Sequence, residues 1–140
     1  MKRLALVYVV FLSCIFLSSC ADNLSKKQIF TLVKEHHDFL QQCIDERNYH
    51  RALDIKGIQD TYEKRNDYVE FYCGGAGWAS STSYYGFYYS PADIPIAVDV
   101  TKTSMLTPKD DGWGWKEPDG DNIYYTERIM AHWYYYESHY

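Results

Sequence analysis

The alternation in "DYVEFYC" (Asp67–Cys73) most constrains how this chain can fold. Val69, Phe71 and Cys73 fall on one parity; Tyr68, Glu70 and Tyr72 fall on the other. Successive side chains of a strand point to opposite faces, so this is a strand with an apolar face and a tyrosine face. "STSYYGFYYS" (Ser81–Ser90) repeats the pattern, with Tyr85, Phe87 and Tyr89 alternating with Tyr84, Gly86 and Tyr88. Between the two lies "GGAGWAS", whose glycines suit a hairpin connection needing positive φ. Aromatic side chains suit a pleated, half-buried surface, and a two-stranded hairpin accounts for much of this composition.

The N-terminus carries a different kind of signal. Lys2 and Arg3 precede an uncharged apolar run, Leu4 to Leu17, followed by "LSSC" at Leu17–Cys20. Positive n-region, apolar h-region and small residues at a cleavage point are the anatomy of a secretory signal. The run is shorter than the about 20 residues that a bilayer span needs. "LSSC" resembles the lipobox of bacterial lipoprotein precursors: an aliphatic residue, two small residues, then cysteine. The resemblance covers residues 1–20 and implies cleavage between Ser19 and Cys20 with a diacylglycerol on Cys20. Two or more acyl chains, at about 0.8 kcal/mol per buried CH₂, would hold the protein at a membrane without a second anchor. Ala21 next to Cys20 resembles the outer-membrane sorting pattern of hosts with two membranes.

The expected organisation is a signal peptide over 1–19, a lipidated tether over 20–24, and one domain over 25–140. Four tether residues reach about 13 Å at most, which keeps the domain close to the membrane. Loss of Lys2 and Arg3 makes the domain still more acidic than the −5 of the whole chain. An acidic domain argues against nucleic acid as a partner.

Of four cysteines, Cys14 leaves with the signal and Cys20 carries lipid, leaving Cys43 and Cys73. Outside the cytoplasm a remaining pair is most simply a disulfide. Ser25 to about Arg47 predicts one helix, with Ile29, Val33, His36, Leu40, Cys43 and Arg47 on a stripe. Ser25 and Gln28 have capping-box spacing. Cys43 on the stripe and Cys73 on the apolar strand parity both face inward, so the bridge would join helix to sheet.

The rest reads as strands. Leu53–Glu63 is a weak one, 97–109 an irregular connection, and "GWGW" pairs with the C-terminal segment through a hairpin around Pro118–Asn122. In that last segment Ile123, Tyr125, Ile129, Ala131 and Trp133 share one parity. The expected fold is α+β: one N-terminal helix packed on an antiparallel sheet of about four to five strands.

Catalytic and metal chemistry find little support. "GGAGWASSTS" lacks the lysine of a phosphate loop and precedes a strand. His36 and His37 are adjacent on a helix and diverge by about 100°, which is poor zinc geometry. His36 is expected half-buried and His37 solvated. "DGDN" (Asp119–Asn122) has calcium-like residues without the downstream glutamate of an EF-hand. No frame such as GxSxG singles out a serine as nucleophile. No catalytic residue, metal ligand or cofactor is expected.

The aromatic content remains. The chain has 15 Tyr, four Trp and six Phe, and all but Tyr8, Phe11 and Phe16 fall in the domain. Tyr68, Tyr72, Tyr84, Tyr88, Tyr134 and Tyr136 carry the parity opposite to the expected core. Tyrosine presents rigid apolar area with a polar handle and favours interfaces and sugar-stacking surfaces. Either these six form a recognition surface for an envelope protein or glycan, or the irregular 91–111 segment covers their face. The expected function is a membrane-tethered, non-catalytic binding module of the bacterial envelope. The alternatives are an inhibitor or immunity-like lipoprotein, acidic so as to block a basic secreted enzyme, and a small envelope hydrolase.

Overall fold

The computed structural model describes residues 23–64, 68–78, 81–97 and 99–140. The signal segment, the lipobox and Cys20 lie outside them. Seven antiparallel strands form one sheet: β1 (Asp60–Glu63), β2 (Val69–Trp78), β3 (Ser81–Tyr89), β4 (Thr107–Lys109), β5 (Gly112–Lys116), β6 (Ile123–Met130) and β7 (Trp133–His139). Their spatial order is β1-β2-β3-β7-β6-β5-β4. One meander, β1 to β3, is followed by a crossing to the far edge, and a second, β4 to β7, returns until β7 docks beside β3.

This architecture corrects the expected α+β fold. It is a mostly-sheet fold, with seven strands instead of four or five, and its helices are short. Three strands were hard to read for physical reasons. β1 is only the last four residues of the weak strand expected over Leu53–Glu63, whose start belongs to the 3₁₀ turn Tyr49–Asp54, and the edge strand β4, three residues long, is too short to show a period. The segment from Ile123 onward folds back on itself. A tight turn at Ala131–His132, with His132 at φ 66°, separates β6 from β7, and a bulge between Arg128 and Met130 precedes it. Of the residues expected on one parity across Ile123–Trp133, Tyr125, Ile129 and Trp133 still reach the helix-side core, whereas Ala131, in the turn, is exposed.

The glycines of "GGAGWAS" also moved from loop to strand. Gly74, Gly75 and Gly77 lie within β2, paired with β3 down to Trp78 opposite Ser81. A bulge between Tyr72 and Gly74 leaves Cys73 as the extra residue, and Gly74 takes φ 137°, where a side chain would be strained.

The expected single helix is two, α1 (Lys26–Glu35) and α2 (His37–Asp45). The Ser25–Gln28 capping box is present and fixes the start of α1. His36, at φ −107° and ψ 15°, interrupts the helix. That break turns His36 outward, while half-buried His37 packs edge-on to Trp133 at 6.4 Å, the reverse of the expected assignment. Ile29, Val33 and Leu40 are fully buried, each contributing about 1.5–3 kcal/mol by leaving water. They meet Phe71, Phe87 and Trp133 on the sheet.

Cys43 and Cys73 both reach this helix-side core, as their parities predicted. They remain two separate, buried thiols instead of the expected bridge. Parity sets which face a side chain takes but not where on that face it sits. α2, which carries Cys43, packs on the 3₁₀ turn Tyr49–Asp54, whereas α1 lies over β3, β6 and β7. Burial pushes both thiols above the ordinary cysteine range, which disfavours the thiolate.

Candidate functional site

The opposite face of the sheet is also largely covered. Tyr68, Tyr88, Tyr124, Tyr134 and Tyr136 form a second buried cluster, with Ala97, Ile96, Leu106, Trp113 and Trp115 around it. Much of the cover is the segment between β3 and β4, which has little regular structure beyond the 3₁₀ turn Val100–Met105. Tyrosine hydroxyls hold it in place. The Ile96 N–H donates to Tyr88 Oη at 2.8 Å, and Tyr124 Oη donates to the Ile96 carbonyl at 2.7 Å. Tyr88 Oη also lies 2.8 Å from Thr126 Oγ1, which donates to the Tyr135 carbonyl. Tyr134 Oη donates to Asp93, which also accepts from the His132 N–H and pairs with Arg128.

This separates the six tyrosines expected on a recognition surface. Tyr68, Tyr88 and Tyr134 are buried beneath the cover and present no outer surface, so their assignment to a binding face is corrected. Their parity was read correctly; what hides them is a segment whose path parity does not encode. Tyr136 is also buried, but its ring forms part of a cleft that the cover leaves open. Tyr72 and Tyr84 line that cleft, Tyr72 half-buried and Tyr84 40 % exposed.

The cleft encloses about 540 Å³ over β1, β2, β3 and β7. Tyr62, Tyr72, Tyr84 and Tyr140 wall it, with Glu70 and Ser138 among its lining. Strand pairing explains the convergence. Tyr62 stands opposite Glu70, Tyr72 opposite Gly86, and Tyr84 opposite both Gly75 and Ser138. The glycines make room. A methyl group at Gly86 would stand 2.8 Å from Tyr136 Cε1, so a bare backbone there lets the Tyr136 ring lie across β3. The ring thereby carries its hydroxyl to Glu70 Oε1, donating at 2.6 Å. The rings of Tyr72 and Tyr84 are 6.2 Å apart, and Tyr84 meets Tyr140 edge-on at 5.8 Å. These are favourable aromatic separations.

Polar groups in this cleft are few and fixed. Glu70 is a buried carboxylate, only 7 % exposed, and Lys64 Nζ lies 3.6 Å from its Oε2. The Lys64 ammonium also stands 5.1 Å over the Tyr62 ring. Burial and the neighbouring Glu70 push the Tyr136 hydroxyl well above the ordinary tyrosine range, so it stays a donor. The hydrogen bond to Asp60, followed by burial, raises the Tyr62 hydroxyl. Ser138 Oγ is buried without a hydrogen-bond partner. Sequence reading missed Tyr62, Tyr140, Glu70 and Ser138. Glu70 had a signal: a carboxylate shares the parity of Tyr68 and Tyr72 in a strand whose other face is apolar. Tyr62 sits in the weakly patterned Leu53–Glu63 segment, and Tyr140 had the signal of sharing the parity of Tyr134 and Tyr136.

On the helix side, Ser83 Oγ is 2.7 Å from His139 Nδ1, and His139 Nε2 is 3.8 Å from Glu137 Oε1. These residue types recur in acyl-transfer sites. Here the second link exceeds hydrogen-bond range, and Glu137 accepts from the Tyr135 hydroxyl at 2.7 Å. Among the described residues no three of His, Cys, Asp and Glu converge as metal ligands. Asp119 and Asp121 are exposed in the turn between β5 and β6. Among the described residues no helix is long and apolar enough to cross a membrane. Comparison with protein families, with curated proteins and with solved structures finds no match to this chain.

Proposed function

We propose that this chain is a lipid-anchored binding module of the bacterial envelope that recognises its partner through the Tyr62/Tyr72/Tyr84/Tyr140 cleft. The observation that carries the reading is the contrast within one sheet face. Its other tyrosines are buried, and Tyr88, Tyr124, Tyr134 and Tyr136 are held by hydrogen bonds, whereas these four keep ring surface open around a buried carboxylate. Rigid aromatic walls with a few fixed polar groups are what small recognition sites are made of. The anchor rests on the lipobox resemblance at Leu17–Cys20.

The test pairs two variants. Tyr72→Ala with Tyr84→Ala should melt within a few degrees of wild type, because neither side chain is fully buried. Immobilised wild type should retain a partner from envelope extracts that the double variant loses. Truncating a central aromatic anchor costs about 2 kcal/mol or more, some thirtyfold in affinity. A double variant that melts normally and retains the same partners removes the case for the cleft. Cys20→Ser serves as the anchor control: it should abolish palmitate labelling, and equal labelling overturns the lipoprotein assignment.

A further inference from the structure

We propose that the cleft receives a basic side chain, a lysine or arginine of a protein partner, whose cation replaces the Lys64 ammonium at Glu70. This deepens the binding-module reading and rests on it. A carboxylate removed from water is costly unless paired and hydrogen-bonded. Glu70 Oε1 has a short, strong donor in Tyr136 Oη at 2.6 Å. Oε2 has the Lys64 ammonium at 3.6 Å, well outside the about 2.7–2.9 Å of a charge-assisted hydrogen bond. One oxygen of a buried carboxylate is thus served by a distant cation whose side chain is 40 % exposed.

The position of Lys64 shows what the rim accommodates. Its ammonium lies over the Tyr62 ring while facing Glu70, so one ring and one carboxylate already flank a cation. That is the geometry of cation recognition by aromatic walls, where attraction grows as the cation is desolvated. Tyr72, Tyr84 and Tyr140 continue the aromatic lining past the reach of that one contact. A basic side chain entering from a partner would stack its alkyl or guanidinium portion on these rings and approach Oε2 more closely than Lys64 does. A neutral side chain without a hydrogen-bond donor, such as that of norleucine, would gain the stacking and nothing from the carboxylate. The net charge of −5 would attract basic partners at long range as well.

The inference predicts opposite signs for two substitutions. Glu70→Gln keeps an acceptor for Tyr136 and removes the charge. Lys64→Ala removes the resident competitor. The full chain in detergent, with its tyrosine rings isotopically labelled, is titrated with N-acetyl-lysine methylamide, N-acetyl-arginine methylamide and N-acetyl-norleucine methylamide. The two cations should shift the ring resonances of Tyr62, Tyr72, Tyr84 and Tyr140. The neutral norleucine compound should bind about tenfold more weakly, the equivalent of losing one charged contact. Glu70→Gln should erase that preference, and Lys64→Ala should tighten the cations severalfold without affecting norleucine. Equal titration by norleucine, or a Lys64→Ala variant that binds the cations no better, overturns the proposal. Lys64 is exposed at the rim, so its variant remains informative if Glu70→Gln lowers stability. If the cations fail while Tyr72→Ala/Tyr84→Ala still loses an envelope partner, the charge inference falls and the binding module stands. Partner retention indifferent to those tyrosines brings down both.

Discussion

The two faces of the sheet are both buried, yet they are built from different side chains. The helix face packs mainly Ile29, Val33, Leu40, Phe71, Phe87 and Trp133, with Tyr125 and Tyr135 donating their hydroxyls to Glu127 and Glu137. The opposite face packs Tyr68, Tyr88, Tyr124, Tyr134 and Tyr136. The difference follows from what covers each. A helix satisfies its backbone internally, so the side chains it covers need supply no hydrogen bonds to it. The segment between β3 and β4 makes few regular hydrogen bonds, so buried backbone such as that of Ile96 needs partners from side chains. Tyrosine supplies ring area and a hydroxyl together. Part of the tyrosine content is thus the consequence of covering a sheet with irregular chain; Tyr125 and Tyr135 are buried on the helix side instead, and Tyr62, Tyr72, Tyr84 and Tyr140 remain around the open cleft.

That contrast can be broken most severely on the helix side. Trp133 is fully buried against Phe71, Phe87 and Tyr89. Trp133→Ala should cost about 3–5 kcal/mol in chemical denaturation, as expected for deleting a large core aromatic. A loss under 1 kcal/mol would mean that the helices do not share one core with the sheet.

The second prediction removes a single atom from the tyrosine side. Ile96 N–H, Tyr88 Oη, Thr126 Oγ1 and the Tyr135 carbonyl form a continuous buried relay. Tyr88→Phe keeps the ring and orphans its partners, at about 1–3 kcal/mol. Hydrogen exchange should speed at Ile96 more than at the helix-side core. Uniform acceleration would show that the hydroxyls do not hold the cover specifically.

The smallest effect concerns acid. The Asp93 carboxyl is held below the ordinary 3.8, first by the His132 N–H, then by Tyr134 and Arg128 against an opposing desolvation. A depressed folded value means that its stabilisation is present above the unfolded value and is lost as pH falls through the folded one. Wild type should therefore lose melting temperature below about pH 4. Asp93→Asn should melt lower at neutral pH and lose less on acidification. Parallel acid curves for the two proteins would remove Asp93 as the clasp between the cover and the β6–β7 turn.

Much of the local structure was legible. β2, β3 and the hairpin around Pro118–Asn122 followed from alternation and turn residues, and the Ser25 cap from spacing. Of the edge strands, β1 was legible only as the end of a weak strand over Leu53–Glu63, and β4 was not, because three residues show no period. Only part of the candidate site was legible. Tyr72 and Tyr84 stood out by parity; Tyr140 shares the parity of Tyr134 and Tyr136 but was not singled out, and Tyr62 lies in a segment read only as a weak strand.

By itself the sequence determined which residues share a face, because a two-residue period is a property of the strand backbone and needs no partner. That placed Phe71 and Cys73 on one side and Glu70 and Tyr72 on the other. It also supplied the lipobox resemblance at Cys20, which depends on linear order alone. Only tertiary structure decided that β7 lies between β3 and β6, which brings Tyr136 and Ser138 beside Tyr84 and Glu70. It decided too that Tyr68, Tyr88 and Tyr134 are covered while Tyr84 is open. Those outcomes depend on long-range pairing and on the path of an irregular segment, and neither leaves a period in the chain.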